Sequence, residues 1–93
     1  MLWQIEVTKT FSDELKKHKK DGELLNALDK KIQRLKENPE NVGGNLGGRL
    51  HGYKSTRIIG KFRLIFKIGN VERKVYLCAI DHRKIIYDKF ETD

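Results

Sequence analysis

Apolar and polar residues alternate from Leu2 to Val7, with Trp3, Ile5 and Val7 set against Gln4 and Glu6. That is the period-two signature of a half-buried strand. The spacing then changes to that of a helix. Phe11, Leu15 and His18 fall at i, i+4 and i+7, with Thr10 as a capping hydroxyl and Asp13 three residues on, which predicts a short amphipathic helix. After Asp21-Gly22 the run ELLNALDKKIQRLKEN puts Leu24, Leu28 and Leu35 on one stripe, with Leu25 and Ile32 beside it. A longer helix is expected from about Glu23 to Glu37, ended by Pro39. Neither helix is apolar all round, so the two form a hairpin that lays its stripes on one sheet face and leaves its Lys-rich sides in water.

Residues 38–48, NPENVGGNLGG, carry four of the eight glycines and no periodicity, so they are expected to form a mobile loop. A phosphate-cradling loop would need a preceding strand and a Gly-Lys-Ser/Thr opening a helix; here Gly48-Arg49 leads into strands. Those strands are expected at Arg49 to Ile59, Phe62 to Ile68 and Val71 to Asp81, with Gly60-Lys61 and Gly69-Asn70 as hairpin turns. In the middle strand Phe62, Leu64, Phe66 and Ile68 point to the core, while Arg63, Ile65 and Lys67 point to a face that stays open. Pairing Ile59 with Phe62 and alternating simply would set Lys54 beside Arg63 on that open face and turn Arg57 toward the helices. A bulge would reverse this, so the sequence leaves the register open. The tail from Arg83 to Phe90 is expected to make one helical turn anchored by Ile85, Ile86 and Phe90. The fold class is therefore α+β: an N-terminal strand, a two-helix hairpin and a three-stranded antiparallel meander, in one four-stranded sheet with both helices on one face.

At 93 residues the chain makes a single domain, residues 1–93. A domain of this size buries only roughly 60 to 70% of its unfolded surface, so a partner covering part of it is expected. Cys78 is alone, which excludes an intrachain disulfide, and His and Cys are too sparse for a zinc site. No cofactor or metal is expected. No run approaches the roughly 20 apolar residues of a membrane span, and the first residues lack a signal-peptide pattern, so a reducing cytoplasm is the expected location.

Charge changes the picture most. Of the net +7, the first 48 residues contribute almost nothing, with nine cations against eight acids, while Arg49 to Lys67 holds six cations and no acid. A cationic patch confined to strands suits a polyanion held at a fixed angle, and nucleic acid is the first partner to consider.

The stretch GYKSTRIIGKFRLIF, Gly52 to Phe66, and the segment HRKIIY after the last strand sit in a chain ordered strand, two helices, three strands. This combination resembles the RelE/ParE toxin superfamily of type II toxin-antitoxin systems over nearly the whole length. Gly52-Tyr53-x-Ser55-x-Arg57-Ile58 followed by Arg63-Leu64-Ile65-Phe66 is similar to the YoeB branch, and Lys54, Arg63 and Tyr87 match the spacing of functional residues in the RelE branch. The resemblance implies a small cytoplasmic toxin that cleaves messenger RNA in the ribosomal decoding site, with contacts to ribosomal RNA, and that a cognate antitoxin neutralises. Thr56 stands where the RelE branch has a second lysine, Asp81 where it has a further arginine, and Gly44 near an acidic residue of the YoeB relatives.

Cutting RNA without a metal requires a base for the 2′-hydroxyl, a cation for the crowded phosphorane and an acid for the leaving oxygen. Arg63 is the candidate for the phosphorane, since its planar fork stays charged and binds two oxygens, and Arg83 is a candidate second clamp. Lys54 is a candidate base if neighbouring cations lower its proton affinity; His82 is the titratable alternative. Tyr87 is a candidate for stacking on a base. Arg49, His51, Arg57, Lys61, Lys67 and Lys84 are candidate RNA contacts. Each has an ordinary structural reading too: a mid-strand arginine also serves as a solvated cross-strand partner, and His18 belongs to the helix rim. The same fold without a hydrolytic site would instead suit a ParE-like inhibitor of DNA gyrase, or a non-catalytic nucleic-acid-binding domain.

Overall fold

The computed structural model describes residues 2–82, 85 and 86. Its elements are β1 (Gln4–Val7), α1 (Lys9–Lys16), α2 (Gly22–Glu37), β2 (Gly44–Asn45), β3 (Lys54–Ile59), β4 (Phe62–Gly69) and β5 (Lys74–His82). The strands form one sheet in the order β1-β5-β4-β3-β2. The α+β class is as expected, with five strands in place of four. The sheet is also mixed, because β1 runs parallel to β5, from Gln4 opposite Lys74 to Val7 opposite Leu77. A parallel neighbour cannot be reached by a tight turn, and the chain from β1 to β5 passes through both helices and through β2, β3 and β4.

Both helices start on the side chain that satisfies their first free N–H groups. Thr8, not Thr10, caps α1, its Oγ1 accepting from the Phe11 N–H at 3.2 Å, and Asp21 caps α2 by accepting from the Leu24 N–H at 3.1 Å. Phe11 from α1 and Leu24, Leu28 and Leu35 from α2 meet Leu64, Phe66, Val75, Leu77 and Ile80 of the sheet in the main core. Burying each such side chain stabilises the fold by about 1.5–3 kcal/mol.

Where β1 ends at Val7, β5 runs on with its edge uncovered, and α1 takes over its hydrogen bonding. The Thr8 N–H donates to the Leu77 carbonyl at 3.1 Å, the Thr8 hydroxyl donates to the same carbonyl at 3.1 Å, and Glu14 Oε1 accepts from the Ile80 N–H at 3.0 Å. Glu14 is only 3% exposed, an acid buried to complete a sheet edge.

Three expectations change. Residues 38–48 are structured: Pro39–Asn41 makes a 3₁₀ turn, β2 pairs with β3 through Gly44 opposite Ser55 and Asn45 opposite Lys54, and a second 3₁₀ turn covers Gly48–Leu50. Hence β3 starts at Lys54 and not at Arg49. The β4–β5 connection is longer than a two-residue turn, with Arg73 at φ 55°, so β5 begins at Lys74 rather than Val71. Arg73 stacks on the Trp3 ring at 4.5 Å, tying that turn to the first strand.

The open face is also partly covered. Ile65, Ala79 and Ile86 are buried together there, flanked by Leu46, Tyr53 and Cys78. Ile65 lies opposite Ala79 and Phe66 opposite Leu77, so Cys78 is an extra residue of β5 and shares that face with Ala79. Ile85 and Ile86 are helical, as expected of the tail, and of the two only Ile86 is an anchor, since Ile85 is exposed.

Candidate nucleic-acid interface

The β3–β4 hairpin carries the cations, and a bulge decides where each of them points. Ile59 is opposite Phe62, as the sequence reading assumed, but the register shifts between Arg57 and Ile59. Arg57 is therefore opposite Arg63, while Thr56 is opposite Leu64 and Lys54 opposite Phe66. Of the two registers that the sequence left open, the bulged one holds: Arg57 shares the open face with Arg63, and Lys54 turns to the helix side. Ile58, the extra residue, joins Ile59 against the core.

Two arginines directly opposite on neighbouring strands repel each other. Here they line, with Gly60 and Lys61, a pocket of about 150 Å³ that has room for an oxyanion. Gly60 at φ +55° makes the tight turn that sets Lys61 at the hairpin tip. Arg63 is half-buried and Arg57 exposed. Arg63 Nη1 donates to Ser55 Oγ at 3.3 Å, so the buried Ser55 holds the guanidinium in place. Ser55 was given no role from the sequence. Its place two residues before Arg57, on the same side of one strand, was the available signal.

Lys54 is only 7% exposed and its Nζ donates to the Glu40 carbonyl at 2.9 Å. The structure does not bring it to Arg63. His82, opposite Phe62, also lies on the helix side. Its ring meets Phe62 edge to face at 5.9 Å, and the half-buried His18 meets the same ring at 5.0 Å. His18 Nε2 also lies 4.0 Å from Asp81 Oδ1. His82 lines a second pocket, of about 240 Å³, with Asp21, Glu23 and Phe62 among its walls. Gly60 and Lys61 belong to both pockets, so the hairpin tip alone separates the His82 side from the arginine side.

Farther along the open face, Lys67 lies over the Tyr53 ring at 5.8 Å. A groove of about 540 Å³ opens there between Thr8, Lys67, Glu72, Tyr76 and Cys78. Burial pushes the Cys78 thiol up, partly offset by the charge of Lys67. The Tyr76 hydroxyl donates to the Glu72 carboxylate at 2.9 Å, a bond that raises the phenol above its ordinary value. Arg49 and His51 are exposed on and just after the second 3₁₀ turn, in none of these pockets. Arg83, Lys84 and Tyr87 lie outside the described residues. Among the described residues, no three His, Cys, Asp or Glu side chains gather to hold a metal, and no helix is long and apolar enough to cross a membrane.

A mixed sheet with both helices on one face is a fold that this chain shares with solved toxins of toxin-antitoxin systems. The chain belongs to the family described as the ParE toxin of the type II toxin-antitoxin system, whose model matches residues 5–87. It is thus a type II toxin of the RelE/ParE/YoeB superfamily. It is 29% identical over 89 residues, 95% of this chain and 94% of the relative, to a protein of Methanocaldococcus jannaschii named "Putative toxin RelE4". Among solved structures, the RelBE2 toxin-antitoxin complex of Mycobacterium tuberculosis contains a chain that superposes with a TM-score of 0.76 at 28% identity, over 89% of this chain and 100% of that one. YafQ of E. coli superposes with a TM-score of 0.76 over 91% of this chain and 98% of its own, at 18% identity, a likeness of fold alone.

Proposed function

We propose that this toxin is an endoribonuclease that cuts messenger RNA in the ribosomal A site, by attack of a 2′-hydroxyl and without a metal ion, and so stops translation. The observation that carries this reading is the Arg57–Arg63 pair facing Lys61 around an oxyanion-sized pocket. A binder of a neutral protein surface gains nothing from opposed cations, whereas a phosphodiester relieves their repulsion. In the reaction the 2′-oxygen bonds to the adjacent phosphorus and the bond from phosphorus to the 5′-oxygen breaks. A base takes the 2′-hydroxyl proton and an acid gives one to the 5′-oxygen, leaving a 2′,3′-cyclic phosphate and a 5′-hydroxyl. Arg63, oriented by Ser55, forks onto the non-bridging oxygens and Arg57 shares the developing charge. In this reading neither Lys54, engaged by the Glu40 carbonyl, nor His82, on the helix side of the sheet, is the base at the Arg63 pocket. Arg83 and Tyr87 serve as second clamp and stacking residue; Arg49, His51, Lys67 and Lys84 serve as peripheral RNA contacts, including ribosomal RNA.

A cognate antitoxin with an acidic segment is proposed to cover the cationic face, a reading supported by relatives solved as toxin-antitoxin complexes. Such a toxin acts in the cytoplasm, where ribosomes are.

One observation favours a second reading: Lys54 and His82 stand on the opposite side of the sheet from Arg63, so the described candidates do not form one catalytic cluster. Inhibition of DNA gyrase, the activity of a ParE-like toxin, needs no such cluster. Translating ribosomes with defined A-site codons, with message ends mapped and gyrase supercoiling assayed in parallel, separate the two. New ends bearing cyclic phosphates support the nuclease; intact message with blocked gyrase sinks it.

A further inference from the structure

Away from the arginine pocket, the open face carries a row of rings and charges that runs from the start of β3 across β4 to β5. Lys67 of β4 lies directly opposite Tyr76 of β5, and its ammonium lies over the Tyr53 ring at 5.8 Å. Tyr53 packs on the open-face cluster of Ile65, Ala79 and Ile86, so both rings and Lys67 sit on one side of the sheet. Beside Tyr76 opens the groove of about 540 Å³ that Lys67, Gly69 and Glu72 also line. In its wall the Glu72 carboxylate is held in place. It folds over Gly69, where a Cβ would come within 2.5 Å of it, and it accepts from the Tyr76 hydroxyl at 2.9 Å. Its own backbone N–H and that hydroxyl hold the carboxyl below its usual range, so it is charged at neutral pH. A carboxylate has about four acceptor sites, so the fixed group still offers acceptors to the groove. Arg63 lies four residues before Lys67 on the same face of β4, about 13 Å away at the rise of a strand.

We propose that Tyr53, Lys67, Tyr76 and Glu72 form a nucleobase-binding platform, on which a base of the strand held in the Arg63 pocket stacks, with guanine preferred. The proposal rests on the RNA reading and adds what the bases of that strand touch. Sheets that bind single-stranded RNA lay bases on exposed aromatic rings in this way. Stacking on tyrosine accepts any base, so the choice falls to Glu72. On its Watson–Crick edge guanine presents two adjacent donors, N1–H and N2–H, to a carboxylate, whereas each of the other bases presents a single donor group beside an acceptor that the charge repels. Glu72 also repels a phosphate, so this end of the face takes a base and not the backbone. An apolar protein segment fits less well, because Ile65, Ala79 and Ile86 are already buried on this face and the groove is walled by charged and polar-tipped side chains.

The test is anisotropy with short uridine oligonucleotides that carry a central guanine or adenine, and with an abasic backbone of the same length, comparing wild type, Glu72→Gln, Tyr53→Leu/Tyr76→Leu and Arg63→Ala. Wild type should bind the guanine strand at least about fivefold more tightly than the adenine strand, and Glu72→Gln should abolish that difference. Wild type should also bind the base-bearing strands at least about fivefold more tightly than the abasic backbone, the low end of base–aromatic stacking, and the double leucine variant should lose this margin. Leucine keeps the apolar bulk, so the double variant should fold; if it does not, Glu72→Gln changes an exposed turn residue and still tests the base preference. Equal affinity of wild type for guanine, adenine and abasic strands, with Arg63→Ala weakened, would overturn the inference and leave the proposed function standing. Base-dependent binding unchanged in Arg63→Ala would keep the platform and remove the Arg63 assignment. Wild type that binds none of the strands would overturn the inference, while the mapping of message ends on ribosomes decides the nuclease separately. Binding of polyglutamate that Tyr53→Leu/Tyr76→Leu abolishes, with no base dependence on RNA, would give the row to a protein partner and overturn the inference.

Discussion

Glu14 is a charged group spent on architecture. In the sequence it is one polar position of an amphipathic helix, and nothing in its spacing reveals that β1 stops at Val7 and leaves the Ile80 N–H needing an acceptor. Glu14→Ala is expected to destabilise the fold by about 1–3 kcal/mol, the cost of a buried donor left unpaired. In a domain of this size that lowers Tm by about 4–8 °C per kcal/mol. A urea midpoint equal to wild type would mean that the bond contributes nothing. Cys78 gives a pH-dependent check. Burial raises its folded pKa, so the folded thiol keeps its proton to higher pH than the unfolded one. The associated stability is complete below the unfolded value, about 8.5, and is lost as pH rises through the folded value. Wild type should therefore lose stability more steeply than Cys78→Ala as pH rises above the unfolded thiol's value, and alkylation of the native thiol should lag behind that of the urea-unfolded chain. Equal alkylation rates would show that the thiol is not shielded.

At the scale of elements, what is local was legible and what depends on a distant partner was not. The two helices followed from their apolar stripes, and the β3–β4 hairpin from alternation and Gly60-Lys61. The caps were half legible: Asp21-Gly22 marked one start, whereas Thr8 and Thr10 are equivalent hydroxyls until a carbonyl of β5 selects Thr8. The bulge at Ile58 left no mark, since Ile58 and Ile59 are equally apolar, yet it exchanges Arg57 for Lys54 on the open face. The strand β2 was hidden because Gly44 and Asn45 have no side-chain pattern, and their pairing is backbone alone. Gly43 makes that pairing possible: its φ is +66°, and a Cβ there would collide with the Ser55 carbonyl. Gly43→Ala is therefore expected to destabilise by more than about 1 kcal/mol, by strain as well as collision. Hydrogen exchange should show lost protection at the N-terminal end of β3, and unaltered protection there would contradict the account of this edge.

For the whole molecule, the division of labour is between a neutral helical layer that builds the core and a cationic hairpin that meets solvent. Composition already placed the charge in the second half of the chain, but only the fold shows that it concentrates on the hairpin, where Arg57, Lys61 and Arg63 surround one pocket. Ser55 makes Arg63 the best-oriented of these groups, and Arg63 faces away from the core, so its removal should cost function without costing the fold. The central claim is tested by mapping message ends on translating ribosomes exposed to wild type or Arg63→Ala, with both proteins shown to be folded by circular dichroism. The account predicts cleavage in the A site by wild type, with 2′,3′-cyclic phosphate ends, and a loss of at least about 100-fold with Arg63→Ala, the scale of removing one oxyanion-stabilising group. A folded Arg63→Ala protein that cuts as fast as wild type would contradict it.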